Sequence, residues 1–221
     1  PQVWFRYGSP QSLLLLTLKR FTGTRTLSVA DVPQYMDELD GLEDIFFGEK
    51  RIANSKDREK LTGLYMYCWG LNPPGKPGVH VPYNLLVNLA RMAPKGSEVE
   101  FVKGKLRSYG YGVDSGGLDA RIGYALNWVE DFKEVEEVKM RLVGVEAEAV
   151  REFIGVLERE EDAERIQGAV FDTARKHGLK PGEFFGILYK ALLGVPRGPK
   201  LGPYIVDVGR EKVIEEFRKI V

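Results

Sequence analysis

Helical periodicity runs through this chain and constrains its fold more than any other feature. Apolar residues recur three or four positions apart along most of the 221 residues, a spacing that places them on one face of a helix. The alternation of apolar and polar residues that is typical of a strand is confined to the short stretch YIVDV, residues 204–208. One isolated strand of that length does not make a sheet. The sequence therefore predicts a mainly α fold.

Glycines, prolines and capping residues divide the periodic pattern into separate helices. Ser9 and Pro10 are expected to begin the first helix, as the N-cap and the first helical residue. Ser28 and Ser55 are the expected N-caps of the second and third helices. Later helices are expected over residues 83–93, 97–111, 118–133, 146–160, 162–178, 181–194 and 209–221.

The proline-rich segment NPPGKPG, residues 72–78, is the clearest interruption of the pattern. Proline lacks a backbone N–H and restricts the residue before it, so this segment is neither a helix nor a central strand. The sequence therefore predicts a connecting region over residues 1–72, a linker over 73–78 and a second, all-helical domain over 79–221.

Composition and charge narrow the classes of function. The 32 Lys and Arg residues balance the 32 Asp and Glu residues, so any site for a polyanion has to be local. The single cysteine, Cys68, fits a reducing, cytoplasmic environment, and His80 and His177 add no zinc-ligand spacing to it. The most apolar run, SLLLLTLKR, is much shorter than the roughly 20 residues of a membrane-spanning helix. We expect no metal site and no membrane partner.

Sequence templates for catalysis are absent. No phosphate-binding loop is present, and YGYGVDSGG, residues 109–117, lacks the preceding strand of a dinucleotide site and is interpreted as an interhelical loop. His177 precedes Gly178 and is interpreted as a helix-terminus residue, whereas His80 has no visible partner. Carboxylates concentrate between residues 130 and 164, which disfavours that region as a phosphate-binding surface. No catalytic residue is predicted.

The segment LLGVPRGPKLGPYIVDVG, residues 192–209, is the strongest candidate for a binding site. Its prolines restrict the backbone, its glycines allow close approach of a ligand, and Arg197 and Lys200 carry positive charge near Tyr204. Rigidly held donors beside aromatic rings suit unpaired RNA bases, which are recognised by stacking and by hydrogen bonds to their edges. A purely structural corner with its cations in water explains the same residues, and the residues alone leave both interpretations open.

This segment also carries a family resemblance. PGEFFGILYKALLGVPRGPKLGPYIVDVGREKVIEEF resembles the end of archaeal class I lysyl-tRNA synthetases, and AERIQGAVFDTARKHGL is similar to the helix that precedes it there. GSPQSLLLLTLKRFTGTRTLSVADVPQYMDELD is similar to the segment after the catalytic core of that family. The HIGH and KMSKS motifs of the core are not among these residues, and the chain begins without methionine. It is identified as the part of such an enzyme that follows the catalytic core.

The resemblance implies a fold and a function. Residues 1–72 would be a stem-contact-type connecting region, and residues 79–221 an α-helical cage that receives the anticodon. The implied partners are tRNA(Lys) and the catalytic domain of the same polypeptide, which would bind ATP and lysine, so no cofactor is expected in this chain. Chemistry rather than the resemblance selects the predicted RNA contacts, which are Arg197, Lys200, Tyr204, Tyr189, Phe184, Tyr83, Asn84 and Arg91. The alternative is an all-α protein-interaction module that does not bind RNA.

Overall fold

The computed structural model of the chain describes residues 4–19, 29–114, 116–132 and 140–221. Over these ranges the protein forms eleven α-helices and no strand, and 70% of the described residues are helical. The predicted mainly α fold is confirmed. None of the helices in these ranges is long and apolar enough to cross a membrane. Helices α1 to α11 span Pro10–Lys19, Val32–Phe46, Ser55–Cys68, Tyr83–Met92, Glu98–Ser108, Gly116–Asp131, Gly144–Leu157, Ala163–Lys176, Pro181–Leu193, Leu201–Val208 and Arg210–Ile220.

Capping residues account for where the first helices begin. Pro10 begins α1 as predicted, and the hydroxyl of Ser9 accepts a backbone N–H of the first turn at 3.2 Å. Helix α3 is capped by Asn54, whose side-chain oxygen accepts two first-turn N–H groups at 2.9 and 3.4 Å. The prediction of Ser55 as this cap is therefore wrong by one residue, since Ser55 is already helical. The predicted cap Ser28 lies outside the described residues.

The stretch 204–208 is helical, so its interpretation as a strand is wrong. It forms most of α10, in which Leu201, Tyr204 and Ile205 are buried. These positions are three and four residues apart and form one helical face. Residues 204–208 alone show the alternation of a strand, and the helical face is visible only when Leu201 is included. Helix α10 packs against α8.

The helices form two compact units. The first comprises the described residues up to 107 together with 111–132, and the second comprises 108–110 together with 140–221. The predicted linker 73–78 lies inside the first unit, in which α4 packs against both α2 and α6. The N–H of Gly78 donates to the Glu43 carboxylate at 2.7 Å and ties the proline-rich segment to α2. The prolines therefore form a turn within a unit, and the observed division differs from the predicted one.

The core of the first unit is centred on α2, which packs against α1 and α3. Burial raises the pKa of the Cys68 thiol in this core to about 11. A second group of aromatic rings joins Tyr7, which follows the 3-10 helix at Trp4–Arg6, to α4 and α6. Tyr7 and Tyr83 both meet Trp128 edge-on. The residues of the first core are Leu15, Leu16, Tyr35, Leu39, Leu42, Tyr65 and Cys68.

The core of the second unit is formed by α7 to α11. Phe153 of α7 lies at its centre, with ring centroids 6.1 Å from Phe184 of α9 and 6.2 Å from Phe217 of α11. All three rings are fully buried. The Leu142 N–H also donates to the Ile220 carbonyl at 2.7 Å, which joins the segment before α7 to the end of α11.

Candidate nucleic-acid interface

Residues 194–200, called the corner below, form a rigid connection between α9 and α10. Gly194 ends α9 with a φ of 76°, a left-handed conformation that favours glycine. The Tyr189 hydroxyl donates a hydrogen bond to the Pro199 carbonyl, which ties the corner back to α9. Gly198 packs so closely that a Cβ there would lie 2.8 Å from the Tyr189 ring and 2.7 Å from Leu193. These contacts hold the corner in one conformation.

The residues after the corner are anchored on α8. A Cβ at Gly202 would lie 1.9 Å from the Ala163 carbonyl oxygen, so glycine is required for this approach of α10 to α8. The Gly202 N–H donates to the side-chain oxygen of Gln167 at 2.9 Å. The corner is therefore held on α9 at one end and on α8 at the other.

The predicted cations are exposed, but they do not all belong to one unit. Arg197 and Lys200 are exposed on the corner. Arg91 is also exposed, and Asn84 is half-buried; both lie on α4, in the first unit. The corner thus brings two of the predicted polar residues together, and the other two lie in a different compact unit.

The predicted aromatic contacts are buried. Tyr83 and Phe184 are fully buried, and Tyr204 and Tyr189 are only 1% and 8% exposed. The Tyr204 ring lies edge-on to Tyr109 with centroids 6.3 Å apart, and the Tyr83 hydroxyl donates to a main-chain carbonyl at 2.6 Å. A base stacks only on a ring face that is open to it. A stacking role for these four rings is therefore corrected to a packing role, in which Tyr189 also secures the corner.

Two rings outside the predicted set are more exposed. Phe171 of α8 is 37% exposed and Phe185 of α9 is half-buried, and their ring centroids are 5.1 Å apart. Phe184 and Phe185 are consecutive residues of α9, so their side chains leave the helix in different directions and only Phe184 faces the core. Leu188, four residues after Phe184, is buried as well. Residues four apart lie on the same face of a helix, so the spacing of Phe184 and Leu188 is the sequence signal that distinguishes the buried Phe184 from Phe185.

The charge around the corner is mixed. Ala163, which meets Gly202, is followed by the exposed Glu164 at the start of α8. Glu161 is paired with Arg210 at 2.6 Å, which offsets part of the negative charge in this turn. Residues 133–139 of the acidic region predicted over 130–164 lie outside the described residues. The end of that region adjoins the beginning of α10, because Ala163 lies against Gly202.

A buried ionic cluster lies in the first unit. Arg121 of α6 donates to both carboxylate oxygens of Asp40 at 2.8 and 2.7 Å, and it lies 3.6 Å from Asp37. Asp37 accepts the backbone N–H of Tyr83 at 2.8 Å, at the start of α4. Burial raises the pKa of Asp37 to about 7 and also raises that of Asp40, against the opposing charge of Arg121. The cluster links α2, α4 and α6.

His80 belongs to an adjacent polar group. Its Nδ1 is 2.9 Å from an Asp44 carboxylate oxygen, and its Nε2 is 2.5 Å from a Glu43 oxygen, so the expectation that His80 lacks a partner is wrong. Glu43 also accepts the Tyr65 hydroxyl. Burial lowers the pKa of His80, but the bond to Glu43 and the surrounding carboxylates outweigh it, and the pKa is raised. No group of His, Cys, Asp or Glu side chains within the described ranges could hold a metal ion.

The stability of the first unit is expected to depend on the ionisation of Asp37. The folded protein holds the Asp37 proton up to a pKa of about 7, whereas the unfolded chain releases it near pH 4. A raised carboxyl pKa means that stability falls as the pH rises through this window. The free energy of unfolding of the wild type, measured relative to that of Asp37→Asn, should fall between about pH 4 and pH 7 and change little above about pH 8. Urea unfolding of both proteins across this range measures the difference, and a constant difference would contradict the expectation.

Similarity to known proteins extends along nearly the whole chain. No family model matches it. The lysine–tRNA ligase of Cenarchaeum symbiosum (strain A) is 38% identical over 220 residues, which cover 99% of this chain. The lysine–tRNA ligase of Thermococcus kodakarensis is 30% identical over 202 residues and 82% of the chain, and that of Methanocaldococcus jannaschii is 26% identical over 236 residues and 97% of the chain. The chain is a homologue of the lysine–tRNA ligases.

The lysine–tRNA ligases in this comparison are longer than the chain. The chain spans 41%, 37% and 44% of their lengths, in the order given above. The family resemblance drawn from the corner segment and the helices around it is therefore confirmed, and the chain is similar to part of the length of the lysine–tRNA ligases. The contacts of individual residues with RNA stay a prediction.

Proposed function

We propose that this lysine–tRNA ligase homologue binds tRNA(Lys) and recognises its anticodon, as part of an enzyme that attaches lysine to tRNA with ATP. The observation that carries the proposal is the corner, which is anchored on two helices while Arg197 and Lys200 remain exposed. A backbone that is already fixed loses little conformational entropy when a ligand binds. ATP and lysine would bind to the catalytic domain of the same polypeptide, outside the residues of this chain.

The chemistry of the corner suits a uridine-rich anticodon, which the family resemblance implies. Uracil offers the O2 and O4 oxygens as acceptors and N3–H as a donor, and a guanidinium can donate to these oxygens or to phosphate. Arg197 is the proposed base contact and Lys200 the proposed phosphate contact. Anticodon recognition is assigned to the second compact unit, which contains the corner, and contact with the tRNA stem stays a prediction for the first.

A fluorescence titration of the 221-residue chain with a tRNA(Lys) transcript tests this function. Affinity is expected to fall as the salt concentration rises, because phosphate contacts release counterions. It is also expected to fall when the anticodon is replaced in an otherwise identical transcript. Binding that responds neither to salt nor to the anticodon would contradict the proposal.

Arg197→Ala is expected to weaken binding of the transcript by about 1–3 kcal/mol, because a guanidinium that reads a base loses its hydrogen bonds on truncation. Lys200→Ala should weaken binding to all RNA sequences similarly and reduce the salt slope by about one. The matched control is Arg151→Ala, which removes an exposed cation of α7 in the same unit. Titrations at several salt concentrations measure all three variants.

The comparison with the control decides the outcome. If Arg151→Ala weakens binding as much as Arg197→Ala does, the effect is general electrostatics and the corner is not the site. If Arg197→Ala melts far below the wild type, its role is structural, and the binding loss does not count for the proposal. Circular dichroism melts of each variant separate these cases.

A protein-interaction module is the second candidate function. Exposed apolar side chains of the first unit favour it: Tyr67 and Leu71, at and after the end of α3, are 63% and 60% exposed, and Leu14 and Leu18 of α1 are each 39% exposed. Contiguous apolar patches in water are typical of surfaces that bind other proteins. Absence of salt-dependent binding in the tRNA titration would favour this candidate.

A further inference from the structure

A row of three aromatic rings leads from the surface of the second unit to the corner. Phe171 is exposed and meets Phe185 edge-on, with centroids 5.1 Å apart and planes at 70°. Phe185 is stacked with Tyr189 at 6.0 Å and 25°. Among the described residues of this unit, Phe171 carries the one exposed aromatic ring. The row therefore begins in solvent and ends under the corner.

The inner end of the row is rigid. Tyr189 donates its hydroxyl hydrogen bond to the Pro199 carbonyl, and its ring packs against Gly198. Phe185 lies between this anchored ring and Phe171, so the outer ring is held in place through two ring contacts. A rigid aromatic surface binds a planar ligand with little loss of side-chain freedom.

The surroundings of the outer ring leave space for a ligand. Gly168 precedes Phe171 by three residues, which places both on the same side of α8. A Cβ built at Gly168 meets no atom within 4 Å, and the residue is exposed. Because residue 168 has no side chain, this position of α8 does not cover the Phe171 ring.

Charges beside the ring match a nucleotide better than a purely apolar ligand. Arg175 lies one turn after Phe171 on α8 and is exposed, with Asp172 at 3.6 Å from it. Arg197 and Lys200 are exposed on the corner, at the other end of the ring row. A base provides the planar aromatic face, and the phosphates on either side of it provide negative charge for these cations.

We infer that an unpaired base of the bound RNA stacks on Phe171, supported by Phe185, while the corner contacts the adjoining backbone. This inference rests on the proposed function, because it names the stacking residues of the same RNA site. It replaces the buried rings Phe184, Tyr189 and Tyr204 as the predicted stacking surface.

The test compares Phe171→Ala with the wild type in titrations against an RNA hairpin that contains the tRNA(Lys) anticodon loop. Loss of one base–ring stack is expected to weaken binding about fivefold to 150-fold. Phe171→Tyr retains a ring and should bind within about twofold of the wild type. Val145→Ala, which shortens an exposed apolar side chain on α7, is the control and should not change binding.

A hairpin series with one abasic loop position at a time identifies stacking directly. At the position of the stacked base, the abasic change should weaken wild-type binding and have little further effect on Phe171→Ala, because both changes remove the same contact. Additive losses at every position would overturn the inference. If Phe171→Ala lowers the melting temperature strongly, Phe171→Leu replaces it, since leucine retains apolar volume but has no ring.

The outcomes separate the inference from the function on which it rests. If the wild type binds the hairpin, Arg197→Ala binds weakly and Phe171→Ala binds normally, the stacking inference is wrong and the proposed function stands. If the wild type binds no RNA, both are wrong. If Phe171→Ala binds weakly and the abasic effects converge, the ring row is the stacking surface.

Discussion

Arg121→Met is expected to destabilise the first unit by about 3–5 kcal/mol, because it leaves buried carboxylates without their cation. The Arg121 side chain is 11% exposed, and it pairs with Asp40 at 2.7 Å and with Asp37 at 3.6 Å. Methionine fills a similar apolar path with a flexible side chain, so the change removes charge and hydrogen bonds more than volume. Urea unfolding at about pH 8, where the carboxyl groups of the unfolded chain are ionised, measures the loss.

Acid should reduce the effect of Arg121→Met. The pKa values of Asp37 and Asp40 are already raised by burial, and without the arginine both groups take up protons more readily. The difference from the wild type is therefore expected to be smaller at about pH 5 than at pH 8. Arg58→Met, an exposed change on α3, is the control and should alter stability by no more than about 0.5 kcal/mol. Equal stability of Arg121→Met and the wild type at both pH values would show that the cluster does not support the unit.

Gly202→Ala is expected to destabilise the second unit by about 3 kcal/mol or more, since a methyl group has no space between α10 and α8. The added Cβ would lie 1.9 Å from the Ala163 carbonyl oxygen and 3.0 Å from the Gln167 nitrogen. Both atoms are backbone, so the two helices have to separate. Thermal unfolding followed by circular dichroism should show a fall in Tm of more than about 10 °C.

Gly168→Ala is the matched control for Gly202→Ala. Gly168 is an exposed residue within α8, and a Cβ there meets nothing within 4 Å. Alanine favours the helix more than glycine, so this variant should be as stable as the wild type or more stable by up to about 1 kcal/mol. A Gly202→Ala protein with the wild-type Tm would mean that α10 does not depend on its close contact with α8.

Most helices could be predicted from local patterns. The predicted segment 181–194 corresponds to α9, with Pro181 as its first residue and Gly194 as its left-handed C-cap. Asp162 is the N-cap of α8, as the predicted start at 162 implies, and accepts the Arg165 N–H at 2.9 Å. Such signals act within one or two helical turns, so the order of residues is sufficient to reveal them.

The prediction of the corner depended on local backbone chemistry, whereas the choice of aromatic rings depended on tertiary packing. Prolines and glycines around Arg197 and Lys200 indicated a rigid, exposed corner, and both cations are exposed. The choice of rings failed, because Phe184 faces the Phe153 ring in the core while its neighbour Phe185 meets Phe171. Which side of α9 is covered depends on the helices that pack against it, which include the neighbouring α8 and the more distant α11.

The sequence by itself determined the helical class, most helix boundaries, the rigid corner and the kinship with lysine–tRNA ligases. The first three follow from short patterns along the chain, and the last follows from sequence identity to other proteins. Only the tertiary structure decided that the proline-rich turn at 73–78 lies inside a unit, that Arg121 meets Asp40, and which aromatic rings are open to a ligand. The physical reason is that burial and ion pairing depend on contacts between residues distant in sequence, which no local pattern specifies.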